Sequence, residues 1–323
     1  MKAEVLQVQN LRVYYQTAVG ALKAVDDVTF SLKPRERFGL AGESGSGKST
    51  LALALMCLIK PPGYIEGGQV LLDGVDLIKF SEDEMRKVRL AQIALVPQGA
   101  MNTLNPVVRI KGQIIDGIVD HSNKIPRSAL EERVHELLKR VELEPEVVNM
   151  FPHELSGGMK QRVCLAIAIS LSPMVIIADE LTSALDVVVQ RQVMLTLGQL
   201  QENLGASVLL VGHDMGLMAQ FVDRIGMLYA GKLVEVGPVR EVFKESLHPY
   251  TQLLIACLPS LEGKRRFKGI PGLPPLLLNP PSGCVFHTRC PQAMSRCSLE
   301  VPSLKEVRPE RRVACHLYTE DKR

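Results

Sequence analysis

The sequence predicts an α/β fold in which a largely parallel sheet is buried between layers of helix. Short apolar runs with the length of buried strands recur at residues 37–41, 173–180 and 207–212. Glycine, acidic or other polar residues end each run, and helix-forming segments separate the runs along the chain. Strands that read as nearly continuous apolar runs and alternate with helices are typical of parallel sheets covered on both faces.

The bulk composition is that of an ordinary globular protein. With 323 residues, the chain can bury a large core beside a second, smaller domain. The net charge of +3 supports no strong claim about nucleic acid or an anionic membrane surface. Residues 1–6 carry no apolar run, so we expect no secretion signal. No stretch approaches the roughly 20 apolar residues of a membrane helix, so we expect a soluble chain that reaches a membrane only through a partner.

A glycine-rich loop after the first apolar run is the most informative motif. Residues 42–50 follow the pattern G-x-x-x-x-G-K-S between a predicted strand and a predicted helix at 51–59. The glycines let backbone N–H groups surround a phosphate, and the helix N-terminus adds partial positive charge. A plain Gly/Ser linker would not fill every fixed position, so we predict a nucleoside triphosphate site. Its predicted residues are Gly42, Ser44, Gly45, Ser46, Gly47, Lys48, which reaches the β- and γ-phosphates, Ser49, which ligates Mg²⁺, and Thr50.

The segments before and after this loop are rich in strand formers. Residues 5–15 and 24–32 predict two strands, and residues 68–74 and 89–97 predict two more. Tyr15 could stack on an adenine ring, although an aromatic residue at a sheet edge explains it equally well.

Residues 99–150 predict a mostly helical insert. Residues 127–141 have helical spacing, and Ser156 is a good N-cap for an apolar helix that follows it. Gly157 and Gly158 at that helix N-terminus predict a second phosphate-sized site, the alternative being a plain cap with a loose turn. Two such sites far apart in sequence suggest that each completes the loop of another copy.

Polar side chains follow three predicted strands directly. Gln98 follows residues 89–97, Asp179 and Glu180 end the run at 173–180, and His213 follows 207–212. Ligands of parallel sheets bind at the carboxyl ends of the strands, so we expect these groups to meet. Asp179 is placed to hold Mg²⁺ and Glu180 to orient or deprotonate water. Each could instead be a solvated strand end.

The chain after about residue 245 changes character. Residues 225–235 predict a closing hairpin, and seven prolines between 249 and 281 then predict extended, loop-rich structure. Four of the seven cysteines crowd this tail, and without an export signal they favour a metal site over disulfides. Their spacing, C-x5-C-x6-C-x17-C, is not that of a standard zinc finger or ferredoxin, and free thiols remain an alternative. These cysteines are Cys284, Cys290, Cys297 and Cys315, with His287 and His316 beside them as substitute zinc ligands.

Together these motifs resemble the nucleotide-binding subunit of an ABC transporter over essentially the whole chain. Residues 155–159, Leu-Ser-Gly-Gly-Met, stand in the family's order with the glycine-rich loop and the polar strand ends. Residues 248–254, 270–275 and 279–291 look like the C-terminal extension of dipeptide/oligopeptide importer ATPases. Leu181 and Gly212 depart from the family pattern, which usually has Pro and Thr or Ser there, but neither departure removes a catalytic group.

The resemblance implies a RecA-like P-loop NTPase core with an N-terminal antiparallel β-subdomain, a helical insert at about 99–165 and a Cys/Pro-rich C-terminal extension. The implied boundaries are 1–245 for the ATPase domain and 246–323 for the extension. It implies a Mg²⁺-dependent ATPase that closes head to tail around two ATP molecules. One chain then supplies Lys48, Ser49, Gln98, Asp179, Glu180 and His213, with Mg²⁺ on Ser49, Gln98 and Asp179, while Ser156, Gly157 and Gly158 come from the other chain. Tyr15 and Asp186 complete the implied nucleotide-binding set.

The implied partners are two transmembrane permease subunits, a second homologous ATPase subunit or another copy of this chain, and indirectly an extracytoplasmic solute-binding protein, with no nucleic acid. The implied location is the cytoplasmic face of the cell membrane, with residues 98–106 near the permeases. The cargo expected is di- or oligopeptides; oligosaccharides, nickel complexes and a non-transport ABC ATPase are the alternatives. For the four cysteines the resemblance favours a [4Fe–4S] cluster over zinc.

Overall fold

A computed structural model describes residues 4–99, 103–121, 125–258 and 269–318. Within these residues the strands are β1 (Leu6–Thr17), β2 (Gly20–Leu32), β3 (Arg37–Ala41), β4 (Gly63–Leu72), β5 (Val75–Asp76), β6 (Ile93–Val96), β7 (Val175–Asp179), β8 (Ser207–Gly212), β9 (Arg224–Tyr229), β10 (Lys232–Pro238), β11 (Lys305–Arg308) and β12 (Arg311–Val313). The α-helices are α1 (Lys48–Leu55), α2 (Glu82–Val88), α3 (Ile110–Val119), α4 (Arg127–Arg140), α5 (Gly157–Ala168), α6 (Val187–Leu204), α7 (Met215–Phe221), α8 (Val239–Lys244) and α9 (Pro249–Ala256). None of the helices in these ranges is long and apolar enough to cross a membrane.

The N-terminal strands form a small antiparallel sheet in the order β2-β1-β4-β5. In β1 the buried side chains include Leu6 and Val8, then Leu11 and Val13. This is the alternation of a half-buried strand, shifted by the register irregularity between Val8 and Leu11. The strands predicted at 5–15 and 24–32 are therefore present, and both are longer than predicted.

The main sheet has eight strands in the order β11-β12-β10-β9-β3-β8-β7-β6. Strands β9, β3, β8, β7 and β6 run parallel, whereas β10, β12 and β11 continue the sheet antiparallel. Every residue of β7 and β8 is buried, as expected of strands covered on both faces. The carboxyl ends of β3, β8, β7 and β6 consequently lie side by side at one edge.

Alternate side chains of the parallel strands feed two separate hydrophobic cores. Val175 and Ile177 pack on the face that carries α1 and the small sheet, whereas Ile176 and Ala178 face the helices α3 to α6. This two-sided burial is what holds the strand ends in fixed register.

Three further predicted elements have different bounds in the structure. The strand predicted at 68–74 is β4, which spans Gly63–Leu72. Helix α1 begins at Lys48 and ends at Leu55, rather than spanning 51–59, because Gly47 caps it directly at the loop. Strand β6 spans only Ile93–Val96 rather than 89–97. Helix α2 was not predicted. Its Ser81–Glu84 capping box starts a helix that extends to Val88.

The insert contains α3, α4 and α5, and α4 closely matches the predicted helix at 127–141. Part of the segment expected to meet permeases, residues 100–102, lies outside the described residues. The C-terminal extension was predicted to be extended and loop-rich. In the structure it also adds two strands to the main sheet, because β12 pairs with β10 and β11 pairs with β12. A buried ion pair between Arg311 and Glu235, 2.8 Å apart, lies beneath this junction.

Candidate active site

The loop after β3 is shaped by glycines. Gly45 and Gly47 have φ values of 77° and 103°, in the left-handed region that favours glycine. A Cβ at Gly47 would lie 2.0 Å from the carbonyl oxygen of Ala24, so a larger residue is also sterically blocked. Gly47 is the N-cap of α1 and, among the described residues, no side chain caps this helix. The N-terminal N–H groups of α1 therefore face the loop without a competing side-chain cap.

Lys48 lies buried beneath this loop. Its Nζ atom donates to the carbonyl oxygens of Gly42 and Glu43, both at 2.9 Å, and to Oγ of Ser46 at 3.4 Å. Burial lowers the pKa of the ammonium, and the carboxylates of Glu180, Asp179 and Glu43 oppose that shift. The cation is thus held where the loop would surround a phosphate chain.

Asp179 and Ser49 face each other at the ends of β7 and the loop. Oγ of Ser49 donates to Oδ1 of Asp179 at 3.2 Å, and Asp179 is buried. Desolvation raises the pKa of Asp179 to about 6, the Ser49 hydrogen bond lowers it, and the neighbouring Glu180 carboxylate adds to the rise. A buried carboxylate beside a hydroxyl oxygen is a hard oxygen donor set, which fits Mg²⁺.

Glu180 joins three strand ends. Gln98, after β6, donates through Nε2 to Oε2 of Glu180 at 2.7 Å, and Nδ1 of His213, after β8, lies 3.3 Å from Oε1. Glu180 itself has a φ of +46°, an uncommon conformation for a residue with a side chain. Its N–H donates to the carbonyl oxygen of Val211 at 2.9 Å, which holds the turn against β8.

A cavity of about 290 Å³ lies in front of these groups. Its lining includes the predicted residues Tyr15, Ser44, Gly45, Gly47, Lys48, Ser49, Thr50, Gln98 and Glu180, with Leu22, Ala24 and Leu277. Cavities of about 430 and 490 Å³ elsewhere contain none of the predicted nucleotide-binding residues, so volume alone does not identify the site. The chemical character of the residues that line the 290 Å³ cavity identifies it as the candidate site.

Six predicted nucleotide-binding residues are not in the lining of this cavity. Gly42 and Ser46 belong to the glycine-rich loop itself, and the other four lie at two other helix N-termini. Ser156 is the N-cap of α5 and accepts from the N–H of Met159 at 3.3 Å, followed by Gly157 and Gly158. Asp186 is the N-cap of α6 and accepts from the N–H groups of Val188 and Val189, both at 3.0 Å. One chain therefore assembles the loop, the acids, Gln98 and His213, but not the second helix N-terminus.

The four tail cysteines lie near one another without forming a recognisable metal site. The N–H of Cys284 donates to the carbonyl oxygen of Cys297 at 2.7 Å, and burial raises the pKa of Cys315 to about 11, with smaller contributions from the other three thiols. Yet the described residues contain no group of three or more His, Cys, Asp or Glu side chains that could hold a metal ion. The predicted [4Fe–4S] cluster or zinc ion is therefore not supported by this arrangement.

The extension also contacts the glycine-rich loop, which was not predicted from the sequence. Arg289 pairs with Glu43, and the hydroxyl of Tyr250 accepts from the N–H of Glu43. Arg289 lies within residues 279–291, which resemble the family's C-terminal extension. No periodicity or spacing in the sequence predicts its contact with Glu43, which is 246 positions away.

Two family models match the chain. The ABC transporter model matches residues 25–183, and the oligopeptide/dipeptide transporter C-terminal region matches residues 234–297. The dipeptide transport ATP-binding protein DppD of Caldanaerobacter subterraneus subsp. tengcongensis is 42% identical over 98% of each chain. The oligopeptide transport ATP-binding protein OppD of Escherichia coli is 40% identical over 98% of this chain and 94% of its own.

This chain belongs to the ATP-binding subunits of dipeptide and oligopeptide ABC transporters. Solved structures of ABC transporter cassettes agree with its fold. The dimeric post-hydrolysis state of the cassette MJ0796, bound to ADP and Pi, is 30% identical with a TM-score of 0.66, and the match covers 73% of this chain and 99% of that one. CbiO1 from Clostridium perfringens, part of the cbiONQ transporter complex, is 26% identical with a TM-score of 0.64, covering 75% and 91%. The shared fold is the ABC ATPase cassette with mixed α/β sheets, and hydrolysis of ATP coupled to transport is the activity of this ABC ATPase.

Proposed function

We propose that the cavity in front of the glycine-rich loop is where this ABC ATPase binds and hydrolyses ATP, and that each side chain there has the role its position suggests. Lys48 and the N–H groups at the start of α1 bind the phosphates, and Tyr15 lies at the base end. Mg²⁺, held by Ser49, Asp179 and Gln98, would neutralise the phosphate charge. The observation that carries this proposal is the Ser49–Asp179 contact at 3.2 Å beside the buried Lys48 ammonium.

Glu180 is the proposed general base. Its carboxylate accepts from Gln98 and lies beside His213, so two neighbours fix its orientation toward an attacking water. Because phosphoryl transfer depends mainly on positioning and charge neutralisation, this arrangement supplies what the reaction needs without a covalent intermediate.

The α5 N-terminus is the proposed partner half of a second chain's site. Ser156, Gly157 and Gly158 lie outside the chain's own cavity, and the partial positive charge of a helix N-terminus attracts a γ-phosphate. Two chains closing head to tail would give two complete sites, with Asp186 near the junction. The partner is either another copy of this chain or a homologous ATPase subunit.

The transported cargo is proposed from the relatives. DppD and OppD carry the words dipeptide transport and oligopeptide transport in their names, so we propose import of di- or oligopeptides. Two transmembrane permease subunits, a solute-binding protein outside the cytoplasm and a position on the cytoplasmic face of the membrane follow from that proposal. Oligosaccharides and nickel complexes remain alternative cargoes.

A metal on the four tail cysteines remains a proposal from sequence alone. The test is the iron, sulfide and zinc content of protein purified without oxygen. About four irons and four sulfides per chain would support the cluster, about one zinc would support the alternative, and metal-free protein would dismiss both.

Co-purification of the tagged chain from its own cell membranes in mild detergent tests the transport proposal. Recovery of two integral membrane proteins and a second similar ATPase is the expected result. The solute-binding protein that accompanies these subunits can then be screened against peptides, oligosaccharides and nickel complexes. Recovery of only soluble nucleic-acid or ribosomal partners would contradict transport and favour a non-transport ABC ATPase.

A further inference from the structure

An arginine of the C-terminal extension reaches the glycine-rich loop and pairs with it at two points. Nη1 of Arg289 lies 2.7 Å from Oε2 of Glu43, and Nη2 lies 3.1 Å from Oε1. The Arg289 side chain is 3% exposed and that of Glu43 is 23% exposed, so this fork-to-carboxylate pair is partly buried rather than a surface contact. Glu43 is the second residue of the loop.

The guanidinium is itself held by the extension and by the last residue of β9. Its Nε atom donates to the carbonyl oxygen of Pro271 at 2.9 Å, and Nη1 also donates to Oη of Tyr229 at 3.2 Å. Gly272 has a φ of +76°, and a Cβ there would lie 3.2 Å from Cγ of Arg289, so the chain turns closely around this side chain. Arg289 therefore cannot follow the loop freely; it anchors the loop to a packed segment.

The main chain of Glu43 is held by the extension as well. Its N–H donates to Oη of Tyr250 at 2.8 Å. Tyr250 is fully buried and packs against Tyr229 and Phe286, with ring centroids 4.6 and 5.4 Å away. Side chain and backbone of one loop residue are thus fixed from the same side.

The position of Glu43 in turn affects the orientation of Lys48. Its carbonyl oxygen accepts from Nζ of Lys48 at 2.9 Å and from the N–H of Ser46 at 3.2 Å. A shift of Glu43 moves one of the oxygens that orient the ammonium, and small displacements of a phosphate-binding group are costly for phosphoryl transfer.

The extension touches the cavity at a further point. Leu277 lines the same 290 Å³ space as Tyr15, and its carbonyl oxygen accepts from the N–H of Lys23 at 3.0 Å. The segment that begins at the Arg289 anchor near Pro271 thus continues to the end of the cavity where the nucleotide base would lie.

We propose that Arg289 is a positioning residue of the nucleotide site and that the C-terminal extension, through Arg289 and Glu43, sets the conformation of the phosphate-binding loop. This inference rests on the proposed ATP-binding function of the cavity. Without Arg289, Glu43 leaves an unpaired carboxylate in the phosphate-binding loop, which loosens the loop and adds uncompensated negative charge near the residues that bind the triphosphate. Nucleotide affinity then depends on the extension even though the extension holds no phosphate itself.

The test is MgATP affinity, measured by displacement of a fluorescent ATP analogue, together with kcat and KM for phosphate release. We expect Arg289→Met to weaken MgATP binding about tenfold, the loss expected for one charged interaction of modest strength. Arg289→Lys, which keeps the charge but not the fork, should fall between wild type and Arg289→Met. Arg308→Met is the matched control, because Arg308 makes an exposed two-point pair with Glu245, both contacts at 2.8 Å, elsewhere in the extension.

A double variant separates positioning through Glu43 from general loss of stability. Glu43→Gln removes the carboxylate that Arg289 neutralises, so adding Arg289→Met to it should weaken MgATP binding by less than about threefold. Wild-type affinity in folded Arg289→Met, equal losses in Arg308→Met, or full additivity in the double variant would each overturn the inference. Failure of the wild-type protein itself to bind MgATP would instead overturn the proposed function.

Discussion

Two helix N-termini in this chain are built from similar residues but have different surroundings. Helix α1 begins at Gly47 without a side-chain cap among the described residues, whereas α5 begins at Ser156, whose hydroxyl accepts from the N–H of Met159. Around α1 lie a buried lysine and the acids at the end of β7. Ser156 is exposed and lies outside that cavity.

The comparison shows that a helix N-terminus is a component of a phosphate site rather than a site in itself. Both helices offer oriented N–H groups and a partial positive charge. Only α1 follows a strand in the middle of a parallel sheet, so only α1 acquires the polar ends of neighbouring strands. In the proposed head-to-tail dimer, the nucleotide at the α5 terminus is the one bound by the second chain.

The largest expected effect is at the α1 site, which is the cavity in front of the glycine-rich loop and the α1 N-terminus. Glu180→Gln should lower kcat for phosphate release by roughly 10³-fold while MgATP affinity changes little, because the amide cannot accept the proton from water. Persistent ATP-bound dimers in gel filtration should accompany the loss. Glu202→Gln, which changes a largely exposed carboxylate, is the control. Normal turnover by Glu180→Gln would remove Glu180 from its proposed role.

A second expected effect concerns binding at the same site. Lys48→Met should weaken MgATP binding by roughly 10- to 100-fold, since charge-assisted hydrogen bonds to the phosphates are lost. Titration of the fluorescent ATP analogue measures it, with the exposed Lys60 changed to Met as control. Equal affinities for the two variants would contradict the phosphate-binding role of Lys48.

A smaller effect is expected at the α5 terminus, and it differs in kind. Ser156→Asp keeps a good N-cap but adds a negative charge facing the partner's phosphate. We expect MgATP affinity of the isolated chain to stay within about twofold of wild type, while ATP-driven association and kcat fall about tenfold. Ser156→Asn is the uncharged control. A weakened affinity in the separated chains would mean that α5 contributes to its own chain's site, and the comparison would fail.

The last expected effect is on the free energy of unfolding. It arises at a third helix N-terminus, whose cap is buried. His248 caps α9 by accepting through Nδ1 from the N–H of Tyr250 at 3.0 Å, and burial lowers the pKa of His248 to about 3. The folded protein favours the neutral form of His248. The contribution of this neutral side chain to the free energy of unfolding is therefore complete above pH 6.5, and it is lost as the pH falls from about 6.5 toward about 3. The free energy of unfolding should therefore decrease by about 1 kcal/mol per pH unit in that range.

Urea unfolding at several pH values measures this slope. His248→Asn retains a side-chain acceptor at the N-cap but does not titrate, so its slope should be shallower than that of the wild type by the same amount. Identical slopes would show that His248 does not remain neutral in the folded protein.

Local elements of the α1 site were predictable because each depends on residues close in sequence. The glycine-rich loop, the strand before it and the polar residues directly after β6, β7 and β8 follow from composition and spacing. Helix α2 was missed because its Ser81–Glu84 capping signal stands in a charged segment without a clear apolar stripe. The α1 boundaries shifted because Gly47 caps the helix at the loop itself.

What the sequence determined by itself is the chemistry at each strand end and helix start, together with the apolar runs that bury the parallel strands. Only the tertiary structure decided that Gln98 and His213 both contact Glu180, because strand order in the sheet depends on how helices pack on its two faces. Only the tertiary structure joined Arg289 to Glu43, since a contact between residues 246 positions apart depends on where the extension packs rather than on any local pattern. That is why the α1 site could be predicted from the sequence, whereas its attachment to the extension could not.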